Sequence, residues 1–386
     1  MSTLFPNSIQ PRNGVFVRDR LFQLLQRHSF EATVIAPVPW FPFRNRRFGQ
    51  YAEFARIERR EIQQSVEVFH PRYFMLPRVG DLFSPISYAA SVLRLMKQQE
   101  VKPFDLIDAH YFFPDGAAAV ILGRQLNCPV AITARGSDLN LMPDEVVAGR
   151  WIRWAARNCN LAAGVARGLC DNLAAIGTDR QRIRLWPNGV DKGRFAVRDA
   201  GELRKALPAG KAVVLSVGNL IELKGHHLVI DALRDLDDTT LVIVGRGPMR
   251  SELEQRAKAA GISHRVHFAG EVTQEELIDY YNAADLLVLA SRSEGMPNVV
   301  LESLSCGTPV VATDVGDLAE SFRSSPGIEI VPDRTAGALA RAMKRVLAAG
   351  YPADVVRSST DCFDWSTTCD RIAADLVETV HRSRAA

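Results

Sequence analysis

At 386 residues the chain is long for one domain and suits two, each large enough to bury a core of its own. With 47% apolar and 24% charged residues it is neither disordered nor fibrous. The net charge of +3 conceals an asymmetry: residues 1–190 hold 24 Lys and Arg against 16 Asp and Glu, and the rest hold 23 against 28, or +8 and −5. The two halves therefore meet different surroundings. Six cysteines form no C-x-x-C pair and have no histidine at metal-ligand spacing, which argues against a zinc site and a disulfide framework. They fit a reducing cytosol. No stretch is long and apolar enough to span a membrane, and MSTLFPNSIQPRN has neither the basic start nor the apolar core of a signal peptide, so a cytoplasmic location is expected.

In chain order, the first half offers a short strand at Met1–Phe5 and a glycine-containing loop, PRNGVFVRDR, with Gly14 at its centre. Strands are predicted at EATVIAPVP, SVEVFHPRY, DLIDAHY, PVAITAR, LAAGVA and RIRLWPNGV, with helices near 86–99, 116–126, 144–157 and 169–176 between them. This is the pattern of a parallel sheet. Between the first two strands lies a basic stretch, residues 41–61, in which Arg44, Arg46, Arg47, Arg56, Arg59 and Arg60 alternate with aromatic residues. It reads either as a solvated loop and helix face or as a surface that docks on anionic lipid through arginine–phosphate pairs and inserted aromatics. Nothing in the chain matches a nucleic-acid-reading motif, so nucleic acid is not an expected partner. DLIDAHY places His110 at a strand end, where a histidine is often only hydrogen-bonded structure, and Asp115 beyond it can be a helix cap. TARGSDLN brings Arg135, Gly136 and Asp138 to the end of the next strand.

PNGVD, Pro187–Asp191, breaks regular structure and marks a domain seam. The domains expected are 1–190 and 191–364. Beyond the seam, strand and helix alternate with little ambiguity: AVVLSVG, TTLVIVG, RVHFAG, DLLVLAS, PVVATDV and GIEIV are each followed by an amphipathic helix. Continuous Val, Leu and Ile strands imply a parallel sheet covered on both faces. Lys224, in the loop after the first of these strands, reads as a point charge for a phosphate or as an ordinary surface lysine. GRGPMR has Gly245 and Gly247 but lacks the third glycine of a dinucleotide fingerprint and follows the wrong strand for one. The segment 365–386 reads as an amphipathic helix with no strand after it.

The run SRSEGMPNVVLESLSCGTPVVATDVGD carries most chemistry. It sets Glu294 and Glu302 on either side of a strand-to-helix junction at a sheet's C-terminal edge, where open α/β sheets bind ligands. Pro297 is expected at the first helical position. The unpaired amides that follow, at Asn298 and Val299, make a cradle for a diphosphate. Glu294 then reaches hydroxyls on one side of that phosphate and Glu302 those on the other, a geometry suited to a nucleotide sugar.

These residues resemble the donor-site signature of retaining glycosyltransferases of family 4, and the resemblance covers nearly the whole chain. It implies the α/β GT-B fold, two Rossmann-like parallel-sheet domains facing across a crevice, with the terminal helix returning to the first domain. It implies that Lys224 takes the donor diphosphate, that Gly245 and Val272 lie beside the nucleotide, that Gly14 belongs to a loop near phosphate and acceptor, and that His110 faces the transferred sugar with Asp138 shaping the same face. Two departures stand out. Asn219 occupies a position where the family commonly carries an arginine, and only Met1–Phe5 is available where members have a full hydrophobic first strand, so either a misplaced start codon or a short strand is expected.

The expected activity is transfer of a sugar from a nucleoside diphosphate sugar to an acceptor hydroxyl, by front-face displacement with retention and without a required metal or cofactor. A glycan or lipid-linked glycan acceptor at the cytoplasmic membrane face, in surface or exopolysaccharide assembly, is implied. The alternatives are a non-hydrolysing sugar-nucleotide epimerase, which shares the architecture, and a non-catalytic donor-binding subunit. A nicotinamide dehydrogenase is disfavoured by the missing fingerprint.

Overall fold

The structure, a computed structural model, describes residues 1–41, 43, 45, 50–75, 82–98, 101–208 and 210–385. The chain divides into two compact units, Met1–Pro187 with Ser366–Ala386, and Asn188–Trp365.

The second unit is one six-stranded sheet. Its strands are β10 (Ala212–Val217), β11 (Thr239–Val244), β12 (Val266–Gly270), β13 (Leu286–Leu289), β14 (Val310–Thr313) and β15 (Ile328–Val331), in the spatial order β12-β11-β10-β13-β14-β15. Every pairing is parallel. β11, β13 and β14 are buried along their whole length, as their β-branched and leucine runs require of strands covered on both faces. Leu241, Ile243, Leu286 and Val288 pack with Val229, Ile230, Leu253, Leu339 and Met343 from flanking helices in one core. Each such side chain contributes about 1.5–3 kcal/mol by leaving water. Strand order reverses between β10 and β13, which are paired. The loops that leave their C-terminal ends therefore emerge side by side, at the switch point where this architecture binds ligands.

The first unit departs from the single parallel sheet expected of it. It contains three sheets: β1 (Thr33–Ile35), β4 (Val66–Phe69) and β3 (Arg60–Gln63) in the order β1-β4-β3; β2 (Val38–Pro39) with β5 (Arg72–Tyr73); and the parallel set β6 (Ile107–His110), β7 (Val130–Ala134), β8 (Leu161–Gly164) and β9 (Ile183–Leu185). β3 and β4 are antiparallel. Gln64 and Ser65 between them have φ of 47° and 71°, the two left-handed central residues that a tight hairpin turn demands. Arg60, read from sequence as part of a loop and helix face, is thus a strand residue. Arg44, Arg46, Arg47 and Phe48 of the basic stretch lie outside the described residues.

Met1–Phe5, where a short strand was one of two expectations, is not assigned as a strand, although Ser2 N–H donates to Ile35 O at 3.1 Å and His110 N–H to Met1 O at 3.1 Å. The terminal helix, Trp365–Ala385, joins the first unit through Asp375, which accepts hydrogen bonds from Trp186 Nε1 at 2.7 Å and Arg184 Nε at 3.0 Å. Among the described residues no helix is long and apolar enough to cross a membrane.

Candidate functional site

In the second unit the loops after β10 and β13 bring Lys224 and Glu294 together. Lys224 Nζ donates to Glu294 Oε1 at 2.6 Å, and Ser291 Oγ donates to the same oxygen at 2.7 Å. Both side chains are largely but not fully covered. An ammonium has three protons to donate, so Lys224 can hold this carboxylate and still reach a phosphate oxygen. The loop bearing it is set by Gly225, at φ 71°, where an added Cβ would lie 2.1 Å from Ala290 O. No other residue type lets the two loops approach so closely.

Pro297 is the residue before the helix, not its first residue: its ψ of 115° is extended, and the helix runs Asn298–Ser305. The correction is physical, since the helix begins where φ and ψ both become helical, one residue later. Asn298 and Val299 supply the first amides, while the Val300 N–H already donates to Pro297 O at 3.1 Å. Glu302, one turn along, accepts from Tyr281 O–H at 2.7 Å. Burial raises the Tyr281 pKa well above the ordinary value, Glu302 adding to the effect, so the phenol stays protonated and keeps donating.

Gly245 and Gly247 serve the adjacent loop. An added Cβ would lie 1.9 Å from Gly218 O at Gly245 and 2.5 Å from Leu220 O at Gly247. Backbone bonds from Gly218 N to Val244 O and from Leu220 N to Arg246 O tie the two turns together. Both glycines thus let the backbone of this turn approach that of the loop after β10. Asn219 is exposed at that loop's tip. Val272 follows β12 and precedes a helix, Gln274–Ala283, closed by a reciprocal cap between Thr273 and Glu276.

Two residues that sequence reading passed over hold this unit's site. Asn188, in the seam, donates through Nδ2 to Met296 O at 3.0 Å and Asn298 Oδ1 at 2.8 Å, gripping the start of the helix. His226 is 2% exposed and its Nδ1 lies 2.8 Å from Ser216 Oγ. Burial lowers its pKa to about 4, so it is neutral. The signal available in sequence was its place directly after Lys224 and Gly225, though a histidine on a helix start carries no assignment alone.

In the first unit His110 ends β6, buried, with Arg135 Nη2 2.9 Å from its Nδ1 and Asp108 Oδ2 3.5 Å from its Nε2. Burial lowers the His110 pKa to about 3 despite Asp108. A guanidinium only donates, so Nδ1 accepts and the ring proton sits on Nε2. Burial would raise the Asp108 pKa, but Arg20 and His110 outweigh it and hold the carboxyl below its ordinary range. Arg20 donates to Asp108 Oδ2 at 3.2 Å and Thr133 Oγ1 at 2.8 Å.

Asp138 is wholly buried, and its two oxygens accept from the backbone N–H groups of Arg135, Gly136 and Phe112 at 3.0, 2.9 and 3.1 Å. It positions the loop that carries Arg135. Gly14, at φ 70°, starts the helix Val15–Arg27, and a Cβ there would lie 2.2 Å from Leu4 O. Asp115 accepts from Thr3 N at 2.5 Å, Thr3 Oγ1 at 2.8 Å and Tyr88 O–H at 3.1 Å, and burial raises its pKa to about 6. Among the described residues no three His, Cys, Asp or Glu side chains cluster as a metal site.

Comparison with known proteins defines the class. Residues 17–194 match the family Glycosyltransferase Family 4 and residues 199–357 the family Glycosyl transferases group 1. A Bacillus subtilis (strain 168) protein provisionally named teichuronic acid biosynthesis glycosyltransferase TuaC is 33% identical over 355 residues, covering 89% of this chain and 87% of its own. The chain belongs to this glycosyltransferase family. Its fold class is that of the GT-B enzymes. Anabaena HepE in complex with UDP-glucose superposes with a TM-score of 0.73 at 18% identity, covering 98% of both chains. The sucrose-phosphate synthase of Thermosynechococcus elongatus superposes with a TM-score of 0.70 at 21% identity, covering 82% of this chain and 84% of its own.

Proposed function

We propose that this glycosyltransferase takes its sugar from a nucleoside diphosphate donor held by the second unit and transfers it, with retention, to a hydroxyl of a glycan or lipid-linked glycan in cell-surface polysaccharide assembly. The observation that carries the reading is the Lys224–Glu294 pair, 2.6 Å apart, at the switch point that also holds the start of the helix Asn298–Ser305. In this reading Lys224 and the Asn298 and Val299 amides take the diphosphate and stabilise the charge that develops as it leaves. Glu302, oriented by Tyr281, accepts from ribose hydroxyls, and Glu294 from the sugar. Asn219, Gly245 and Val272 bound the nucleotide. In the first unit His110 offers its Nε2 proton on the sugar and acceptor side, Asp138 fixes the Arg135 loop beside it, and Gly14 shapes the opening loop. No step requires a metal. The TuaC name and the UDP-glucose bound to HepE support a nucleotide-sugar donor and a surface-polymer acceptor.

Thermal stability with UDP, GDP, ADP and NADH in turn tests the donor. A ligand at about a hundred times its Kd stabilises by about 2.7 kcal/mol. The expected result is a rise with one nucleoside diphosphate that Glu302→Ala abolishes. A folded protein that responds to none of them overturns the donor site in favour of a non-catalytic subunit. Retention is read from the anomeric configuration of the product by NMR, and an inverted product sinks that part. Epimerised donor in the absence of acceptor would instead favour the isomerase.

A further inference from the structure

In the second unit, Ser291 and Glu294 follow β13, and the carbonyls where that strand ends are held by side chains from the strands beyond it. Thr313 Oγ1, at the end of β14, donates to Ser291 O at 2.7 Å and lies 3.4 Å from Leu289 O. The carbonyl between them, Ala290 O, accepts from Arg334 Nε at 2.9 Å. Arg334 comes from the loop after β15, two strands away from β13. Its Nη2 also donates to Glu222 O at 3.2 Å, in the loop that bears Lys224.

One guanidinium therefore spans both halves of the Lys224–Glu294 pair. On one side it grips the residue before Ser291, whose hydroxyl holds Glu294 Oε1. On the other it grips the residue two before Lys224. Two carbonyls on different loops need two N–H groups at a fixed separation, which a planar guanidinium supplies and the point charge of an ammonium does not. The base of the side chain is itself fixed. Thr335, the next residue, caps the helix Ala336–Ala349 by accepting from Ala338 N–H at 3.3 Å, and that helix packs into the core through Leu339, Ala342 and Met343. The other side-chain link between the loops is weaker. Arg292 Nη2 meets Glu222 Oε1 at 3.1 Å, but both side chains are 62% exposed, and such pairs contribute little. A backbone bond from Arg292 N–H to Leu223 O at 2.8 Å completes the junction.

We infer that Arg334 is a positioning residue of the donor site: by holding Ala290 O and Glu222 O together it sets the separation of Lys224 from Glu294, and with it the charge presented to the departing diphosphate. In this role it acts through the two loops and touches neither donor nor acceptor. The setting is a costly one for a cation, since burial and the neighbouring Arg292 lower the Arg334 pKa against the pull of Glu222. The inference rests on the donor reading of the Lys224–Glu294 pair. A displacement of about 1 Å in a catalytic group costs about a hundredfold in rate, so loss of the clamp should appear in kcat. Ground-state binding of the nucleotide, which in that reading also uses Glu302 and the Asn298 and Val299 amides, should change little.

Amide exchange in Arg334→Ala tests the clamp without any ligand. The Arg292 N–H should exchange about tenfold or more faster than in the parent chain, while Phe268 of β12 keeps its protection. Unchanged exchange at Arg292 overturns the clamp. Kinetics then test its role, with UDP-glucose as the probe, or the GDP or ADP ester if that nucleotide is the one that raises the thermal midpoint. Release of nucleoside diphosphate should show kcat lowered about tenfold to a hundredfold and KM changed less than about threefold. Arg334→Lys keeps the charge but not the fork, and should remain lowered about threefold or more in kcat; full activity in it overturns the two-carbonyl grip in favour of a point charge. Arg292→Ala should change kcat less than about twofold, and a loss as large as that of Arg334→Ala hands the role to the exposed pair. Full kcat in Arg334→Ala beside an impaired Lys224→Ala overturns the inference alone. Full kcat in both overturns the donor reading, and the inference with it.

Discussion

The two units solve the same packing problem with different regularity. The second closes six parallel strands in one sheet, and the loops bearing Lys224 and Glu294 leave adjacent strands at a single reversal of order. The first distributes nine strands over three sheets, and a residue as central as His110 is held by side chains from distant segments: Arg135 from the loop after β7 and, through Asp108, Arg20 from the opening helix. Regular α/β repetition places loops by backbone geometry alone. Where repetition fails, buried polar side chains take over the positioning, and their protonation becomes part of the fold.

The comparison can be broken most severely at the glycines. Gly245→Ala should unfold the second unit or cost more than about 3 kcal/mol, because its φ of 144° and the 1.9 Å approach to Gly218 O both exclude a side chain. Gly261→Ala, at φ 72° with nothing near the added Cβ, should cost only about 1–2 kcal/mol from strain. Denaturant melts of the two variants check this, and equal losses would show that backbone contact does not set the loops.

Lys224→Ala should lower kcat about a hundredfold or more, with a smaller change in nucleotide binding, if its charge acts chiefly on the departing diphosphate. Steady-state kinetics separate the two, and a change confined to KM would return Lys224 to ground-state binding.

His110 offers the sharpest contrast of electrostatics. Its folded pKa of about 3 lies below the unfolded value, so between about pH 6.5 and 3 the unfolded state binds more protons and stability falls on acidification. By about pH 4.5 the loss should reach about 2–3 kcal/mol, at 1.36 kcal/mol per pKa unit. Asp115 opposes it: with a folded pKa raised to about 6, it favours the folded state on protonation, an effect lost as pH rises through that value. His110→Asn should therefore flatten the acid side of the stability profile, and an unchanged profile would show that the imidazole is not held neutral.

The smallest effect is expected at Tyr281→Phe. It removes one charge-assisted bond to Glu302, about 1.5–3 kcal/mol in gross terms and less after solvation of the carboxylate. Calorimetry of nucleoside diphosphate binding should show a modest weakening, distinct from the loss at Glu302→Ala.

The strands of the second unit were legible because most are short runs rich in Val, Leu and Ile, several with a glycine at one end, and the pair Glu294 and Glu302 because a proline-marked helix start lies between them. β4 lay within the expected strand SVEVFHPRY, but β3 and the antiparallel hairpin it forms with β4 were hidden. Arg60 and Glu61 of β3 resemble a solvated stretch, and the turn uses Gln64 and Ser65 in left-handed conformations that those residue types seldom signal. Asp138 was legible as a position and not as a role, since three backbone donors converge on it from two segments.

What the sequence determined by itself was local: the period of each element, the fold class those periods imply, and the carboxylates and lysine that chain position sets at strand ends. What the tertiary structure decided was every relation between segments far apart in sequence. Lys224 and Glu294 meet because β10 and β13 pair. Asn188 grips Asn298 across more than a hundred residues, and Arg135 chooses which nitrogen of His110 carries the proton. A sequence pattern records which face a residue presents to its neighbours. Which partner that face meets depends on strand order and on how the buried polar groups satisfy one another, and neither has a period to read.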